Sequence, residues 1–332
     1  MLSSRTTDQV IDKENIQCFN NYVPQRQNAR RVFGKLLTHA DNVPAPQQVK
    51  LAKPEPELKQ VEQTHAISAV KPQLVEQYAA HIQTYLKSRL PLYNVDAGYM
   101  AHQPDINVRM RAILIDWLID VCLKFKLLPQ SLFMTVNLVD RYLTVKQVSR
   151  QELQLLGVAC LMITGKYEEI YPPVLKDYVA VCDNAYKRED VLRMEADVLA
   201  TLQFDLTQPS SFYFLQLLQQ KLQLEPRPFA FVQYVLESVL LDIDSLKYDN
   251  LTLVAGAIFL VNKIFKRGRW SHEYTSVCGV AELDAKACAK ELYVLMQQVD
   301  ALGLSAAKRK FSAPVYFEVS RFKVEKVSGS RN

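Results

Sequence analysis

Hydrophobic positions along the chain fall into two regimes. Residues 1–72 show no period, whereas from Leu74 onward apolar residues recur at three- and four-residue steps, as in helices that bury one face. A first helix is expected over roughly Leu74 to Ser88, followed by a loop, GYMAHQPDINVR, broken by Gly98 and Pro104. A long apolar stretch then runs to about Leu127–Pro129, with Ser131 as the expected N-cap of the next helix. SLFMTVNLVDRYL, RQELQLLGVACLMITGKYEEIYPP, VLKDYVAVC and KREDVLRMEADVLATLQF follow, and Pro172–Pro173 forces a stop. Pro209 opens a second set: SSFYFLQLLQQKL, PFAFVQYVLESVLL, LTLVAGAIFLVNKIFK and DAKACAKELYVLMQQVDAL. No hairpin signal interrupts them, so the expected class is all-α.

One stretch is more apolar than a single buried face requires. In MRAILIDWLIDV, advancing each residue by about 100°, Met110, Ile113, Leu114, Ile115, Trp117, Leu118, Ile119, Val121 and Cys122 cover roughly two thirds of the circumference. Only a strip near Arg109, Asp116 and Asp120 is polar. A surface helix needs an apolar stripe of about 100°. This helix therefore lies at the centre of a bundle, or buries one side and offers another to a partner.

LQLLGVACLMI from Leu153 and LTLVAGAIFLV from Leu251 align at an offset of 98, a weak internal repeat. It implies two tandem five-helix bundles, each built around an apolar central helix. The expected organisation is a disordered tail over 1–72, an N-terminal helix and first bundle over 73–207, a second bundle over 208–325 and a flexible C-terminus over 326–332. The tail is rich in Gln, Asn and Pro and cannot bury enough apolar surface to offset its ordering entropy.

Composition narrows the classes. A net charge of +5 over 332 residues is mild, and no basic stripe interleaved with aromatics points to nucleic acid. No apolar run reaches about 18 residues, and polar Ser3, Arg5, Asp8 and Asp12 interrupt the start, so neither a membrane span nor a signal peptide is expected. Six cysteines, at 18, 122, 160, 182, 278 and 288, lack C-x-x-C spacing and read as core residues of a soluble intracellular protein. The phosphate-loop, dinucleotide, serine-hydrolase and zinc-protease motifs are absent. The five histidines are scattered, and Glu168 and Glu169, adjacent on a helix, diverge rather than face one site. No catalytic residue, metal or cofactor is expected; the chain reads as a binding protein.

Some charges sit where helices should be apolar. Arg111 lies inside the apolar arc of its helix and Asp140 among Phe133, Val136 and Leu143 on the next. A buried charge must be paired, so these two are expected to meet as a structural ion pair. Glu195 shares a face with Leu192, Val198, Leu199 and Leu202, and Lys166 ends an apolar helix before YEEIYPP. These two form another internal pair or mark a protein interface.

MRAILIDWLIDV, KYEEIYPP and VLRMEADVLATLQFDL, in that order and spacing, resemble the cyclin box of A- and B-type mitotic cyclins over roughly residues 75–325. The resemblance implies two tandem cyclin folds with an N-terminal helix alongside, and a non-catalytic partner that binds and activates a cyclin-dependent kinase. It places Lys166 and Glu195 where the family grips the kinase's αC helix. Glu168, Glu169, Ile170, Leu199, Phe204, Leu206 and Tyr85 occupy neighbouring contact positions. It also implies an exposed patch for Arg-x-Leu substrates and inhibitors, made of Met110, Ile113, Leu114 and Trp117, with Asp120 and Gln154 on its rim. Asp120 stands where A-type cyclins usually carry glutamate, one methylene longer.

In the tail, Lys13-Glu14-Asn15 matches the KEN degron read by the anaphase-promoting complex. ARRVFGKLL resembles a destruction box starting at Arg30, degenerate because Phe33 replaces the usual leucine, with Leu36 as a later apolar position. Lys35, Lys50, Lys53 and Lys59 are nearby candidate ubiquitin acceptors. Both degron types imply a G2/M cyclin of nucleus and cytoplasm, with features of both the A and the B type. The competing classes are a cyclin-fold nucleic-acid-binding transcription factor, and a transcriptional cyclin that escapes cell-cycle degradation.

Overall fold

The computed structural model describes residues 78–322 apart from Arg269 and Leu302. The chain divides into two compact units, residues 1–82 and 83–332, and of the first only Tyr78–Ile82 is described. The described residues contain no strand.

The most apolar stretches become the two central helices. In α4 (Leu153–Glu168) every residue from Leu153 to Gly165 is buried. In α9 (Asn250–Ile264) Leu251 and Leu253–Asn262 are buried. A helix apolar on all sides has to be surrounded, and each is the third of five. The first repeat comprises α2 (Val108–Phe125), α3 (Pro129–Val145), α4, α5 (Leu175–Val181) and α6 (Arg188–Thr201). The second comprises α7 (Ser211–Lys221), α8 (Pro226–Val239), α9, α10 (His272–Cys278) and α11 (Glu282–Ala301). Glycine lets each centre be approached closely. A Cβ on Gly157 would lie 2.8 Å from Leu114 of α2, and one on Gly256 2.6 Å from the Cys288 sulfur of α11.

α1 (Ala79–Tyr93) ends about five residues later than the sequence suggests, with Pro91 in its last turn. Gln83 donates to the Val277 carbonyl at 2.9 Å and accepts from Lys221 at 2.6 Å, joining this helix to the second repeat. The Tyr93 hydroxyl donates to Asp205 at 2.6 Å, joining it to the linker between repeats. The expected loop after α1 instead contains a 3-10 turn, Ala97–His102, started by Asp96 accepting the Gly98 N–H. Gln103 then donates to the Leu143 and Lys146 carbonyls and accepts from the Val148 N–H, fastening the segment to the end of α3.

Ser131 is not the N-cap of α3. Pro129 starts the helix two residues earlier, where its preset φ and missing N–H are no handicap. The capping acceptor comes from elsewhere: Glu169 Oε1 takes both the Leu128 N–H and the Ser131 hydroxyl, each at 2.7 Å.

α2 packs against α3, α4 and a short helix beyond the second repeat, α12 (Ala306–Phe311), which also rests on α8. That accounts for its wide apolar arc: one side meets its own repeat and another meets the returning C-terminal segment. Asp116, expected on the polar strip, is buried and accepts the Ala306 N–H at 2.8 Å. The correction follows from α12, which turns part of the exposed strip into an interface. Cys122, Cys160, Cys182, Cys278 and Cys288 are all buried and free. Burial pushes the thiols of Cys182, Cys278 and Cys288 up to about 12, which keeps them protonated and unreactive.

Candidate partner-binding site

Arg111 and Asp140 meet in the core. Arg111 Nε reaches Oδ1 and Nη2 reaches Oδ2, both at 2.6 Å, while Nη1 donates to the Leu240 carbonyl at 3.1 Å. The Tyr99 hydroxyl donates to the same carboxylate at 2.8 Å. Burial opposes the Arg111 charge, and Asp140 more than restores it. Burial, reinforced by Asp140, raises the Tyr99 pKa, so its hydroxyl stays a donor. The pair ties α2 to α3 and, through Leu240, the first repeat to the second.

The end of α4 forms an open edge. Lys166 Nζ donates to Glu195 Oε1 of α6 at 2.5 Å, and the Tyr167 hydroxyl meets the Thr207 hydroxyl of the linker at 2.5 Å. Both are internal contacts, yet the side chains around them are not covered. Ile170 is 86% exposed, Tyr171 92% and Phe204 70%. Tyr85 and Leu192 are exposed as well, and Leu199 and Leu206 are half-buried. Tyr85 lies one turn before Arg89, which donates to the Tyr93 hydroxyl bound to Asp205, so α1 reaches the same linker.

Local backbone explains the presentation. Glu169 leaves α4 in an extended conformation, and Pro172–Pro173 prevents the helix from resuming until α5. Gln203 and Phe204 end α6 with φ of 52° and 57°, a left-handed turn uncommon for bulky side chains. The turn is closed by the Phe204 N–H donating to the Leu199 carbonyl at 3.0 Å. Glu168 is half-buried, and its pKa is raised by burial first and by the Glu169 charge second. Glu169 already serves α3 as a cap, a role that its place in sequence, 38 residues after Ser131, did not signal. Tyr171 also went unrecognised; its position before two prolines was the available clue.

The expected patch on α2 is only partly at the surface. Met110, Leu114 and Gln154 are buried, the first two among the core and Gln154 with neither amide atom partnered among the described residues. Leu114 lies over Gly157, where the close approach of α2 and α4 leaves no opening. Ile113 and Trp117 are half-buried, and Asp120 is engaged by Arg309 of α12. Lys13, Glu14, Asn15, Arg30, Phe33 and Leu36 lie outside the described residues. Among the described residues no cluster of His, Cys, Asp or Glu could hold a metal ion, and no helix is long and apolar enough to cross a membrane.

Paired five-helix repeats, each around a buried central helix, with an exposed apolar, charge-flanked edge at the end of one of them, define the class of protein. The chain belongs to the cyclin family: Cyclin, N-terminal domain, matches residues 81–207 and Cyclin, C-terminal domain, residues 209–325. It is 32% identical over 249 residues to the G2/mitotic-specific cyclin-B of Hydra vulgaris, covering 75% of this chain and 69% of that protein. It is 35% identical over 247 residues to the G2/mitotic-specific cyclin-A of Hydra viridissima, covering 74% and 59%. Cyclin-A1-1 of Arabidopsis thaliana is 35% identical, with 75% and 56% covered, so the chain spans a little over half to about two thirds of these relatives. A solved viral cyclin from herpesvirus saimiri has the same fold, with a TM-score of 0.59 at 19% identity, covering 67% of this chain and 97% of that one.

Proposed function

We propose that the chain is the regulatory subunit of a cyclin-dependent kinase, which it binds and activates at the G2/M transition. The observation that carries this reading is the edge at the end of α4, where Lys166 and Glu195 are held together beside exposed Ile170, Tyr171 and Phe204. Large apolar side chains left clustered at an edge are a binding surface. The flanking charges fix a partner's register. Activation requires no chemistry from this chain. A kinase needs its Lys–Glu ion pair and activation loop in place, and contacts made only with that arrangement shift its population.

Ile113 and Trp117 recruit substrates and inhibitors through apolar anchors. The anaphase-promoting complex reads the degrons at Lys13–Asn15 and Arg30–Leu36, and the complex works in nucleus and cytoplasm. The test is to mix purified chain with a monomeric cyclin-dependent kinase and assay histone phosphorylation. Wild type should activate, Lys166→Ala with Glu195→Ala should not, and Ile113→Ala with Trp117→Ala should fail only on substrates that carry a docking motif. A wild-type chain that neither binds nor activates such a kinase overturns the reading. Constant abundance through anaphase, with the tail intact, would remove the mitotic timing alone.

A further inference from the structure

We propose that Arg309 is an internal occupant of the α2 docking surface, so that this surface takes a partner peptide by its apolar anchor and gains little from a basic residue beside it. This rests on the docking reading of Ile113 and Trp117 given above. Arg109, Ile113, Trp117, Asp120 and Lys124 follow one another down a single face of α2 at three- and four-residue steps. A peptide lying along that face would set its anchor on Ile113 and Trp117 and its arginine on Asp120. Asp120 is already taken. Arg309 Nη2 donates to both of its oxygens, at 2.8 and 2.5 Å, and Nη1 donates to the Ser305 hydroxyl at 2.5 Å.

The helix that carries this occupant is anchored. α12 is held to α2 by the Ala306 N–H on Asp116 and to α8 by Lys310, whose ammonium meets buried Glu237 at 2.6 Å. Ala306, Ala307, Lys310 and Phe311 are buried around Arg309, so the helix that carries it is anchored and keeps its exposed guanidinium within reach of Asp120. A group tethered this way acts at an effective concentration far above that of a free peptide. α2 carries only two acids, and the other, Asp116, is buried under α12. The remaining charges on the stripe, Arg109 and Lys124, are basic. The surface therefore fits a segment with a leucine or aromatic anchor and neutral or acidic flanks, and it discounts the arginine of an Arg-x-Leu motif.

Fluorescence polarisation tests this with two labelled peptides, one Arg-x-Leu and a twin with Gln in place of Arg, titrated with the full chain. Wild type should bind the two within about threefold of each other, because an exposed ion pair exchanged for another changes little. Arg309→Gln should raise the preference for the arginine peptide to about tenfold. Asp120→Asn in the same background should abolish that gain. If wild type already prefers arginine by about tenfold and Arg309→Gln leaves this unchanged, Arg309 is no competitor and only this proposal falls. If both peptides bind wild type and Arg309→Gln equally, it falls in the same way while docking stands. If neither peptide binds any variant, the docking reading fails and this proposal with it, a result that Ile113→Ala with Trp117→Ala would match by sparing every substrate.

Discussion

At an offset of 98, the end of α4, Lys166-Tyr167-Glu168-Glu169-Ile170, lies opposite the end of α9, Ile264-Phe265-Lys266-Arg267-Gly268. Both helices are the buried third member of their repeat, yet their ends behave differently. Beyond α4 the chain leaves extended and sets Ile170 and Tyr171 in solvent. Beyond α9 it turns back through Lys266 at φ 53°, and Phe265 packs against Phe231 and Phe322, 5.8 and 5.6 Å between ring centroids. Arg227 closes the cluster by lying over Phe265 and Phe322. Among the described residues, the second repeat's end is packed against by a later segment of the chain, and the first repeat's end is left exposed. A duplicated scaffold is thus left open at one helix end and packed by aromatic rings at the other, the difference lying in the described segment laid over each end.

The largest expected effect comes from breaking the frame that both ends share. Arg111→Ala leaves Asp140 buried without its cation and should cost about 3–5 kcal/mol in urea unfolding. Arg111→Lys should recover only part of this, since an ammonium cannot make the two parallel bonds. A loss below about 1 kcal/mol would mean that the pair does not join the repeats.

Ile170→Asp addresses the open end. Because Ile170 is exposed, the thermal midpoint should hold while kinase affinity falls about a hundredfold; a drop in midpoint instead would show that Ile170 belongs to the fold. Phe265→Ala should behave oppositely, lowering stability by about 2 kcal/mol with kinase affinity unchanged. A kinase-binding defect in that variant would erase the distinction between the two ends.

Smaller changes sharpen the first repeat. Glu169→Ala removes the acceptor capping α3 and should cost about 1 kcal/mol, read by thermal unfolding. The smallest effect is acid-dependent. Asp197 is held below the usual aspartate value by Lys146 first and by the Tyr142 hydroxyl second. A carboxyl with a depressed folded-state pKa adds stability that is complete above about 4 and lost as pH falls through its folded value. Asp197→Asn should therefore flatten the stability profile on the acid side of about pH 4 by a few tenths of a kcal/mol. An unchanged profile would show that the contact contributes nothing.

Much of this was legible in sequence. The helices of both repeats, their buried centres and the double-proline stop follow from local periodicity and proline geometry. The meeting of Arg111 and Asp140 could be foreseen because a charge inside an apolar arc demands a partner, and few were in reach. Lys166 and Glu195 could be singled out but not assigned, since an internal pair and an interface leave the same pattern. On α2, apolar periodicity marks which residues avoid water, not which neighbour covers them, so buried Met110, Leu114 and Gln154 could not be separated from half-buried Ile113 and Trp117.

By itself the sequence determined the all-α class, the tandem repeat and the residues that carry the cyclin pattern, because helix period, proline and buried charge act over a few residues or demand a single partner. Tertiary structure alone decided that α12 returns to α2 and places Arg309 on Asp120, and that Glu169 caps α3. It likewise decided that Phe322 closes the second repeat while Ile170 stays open. Those contacts join residues far apart in the chain, and their energies depend on distances that no local pattern encodes.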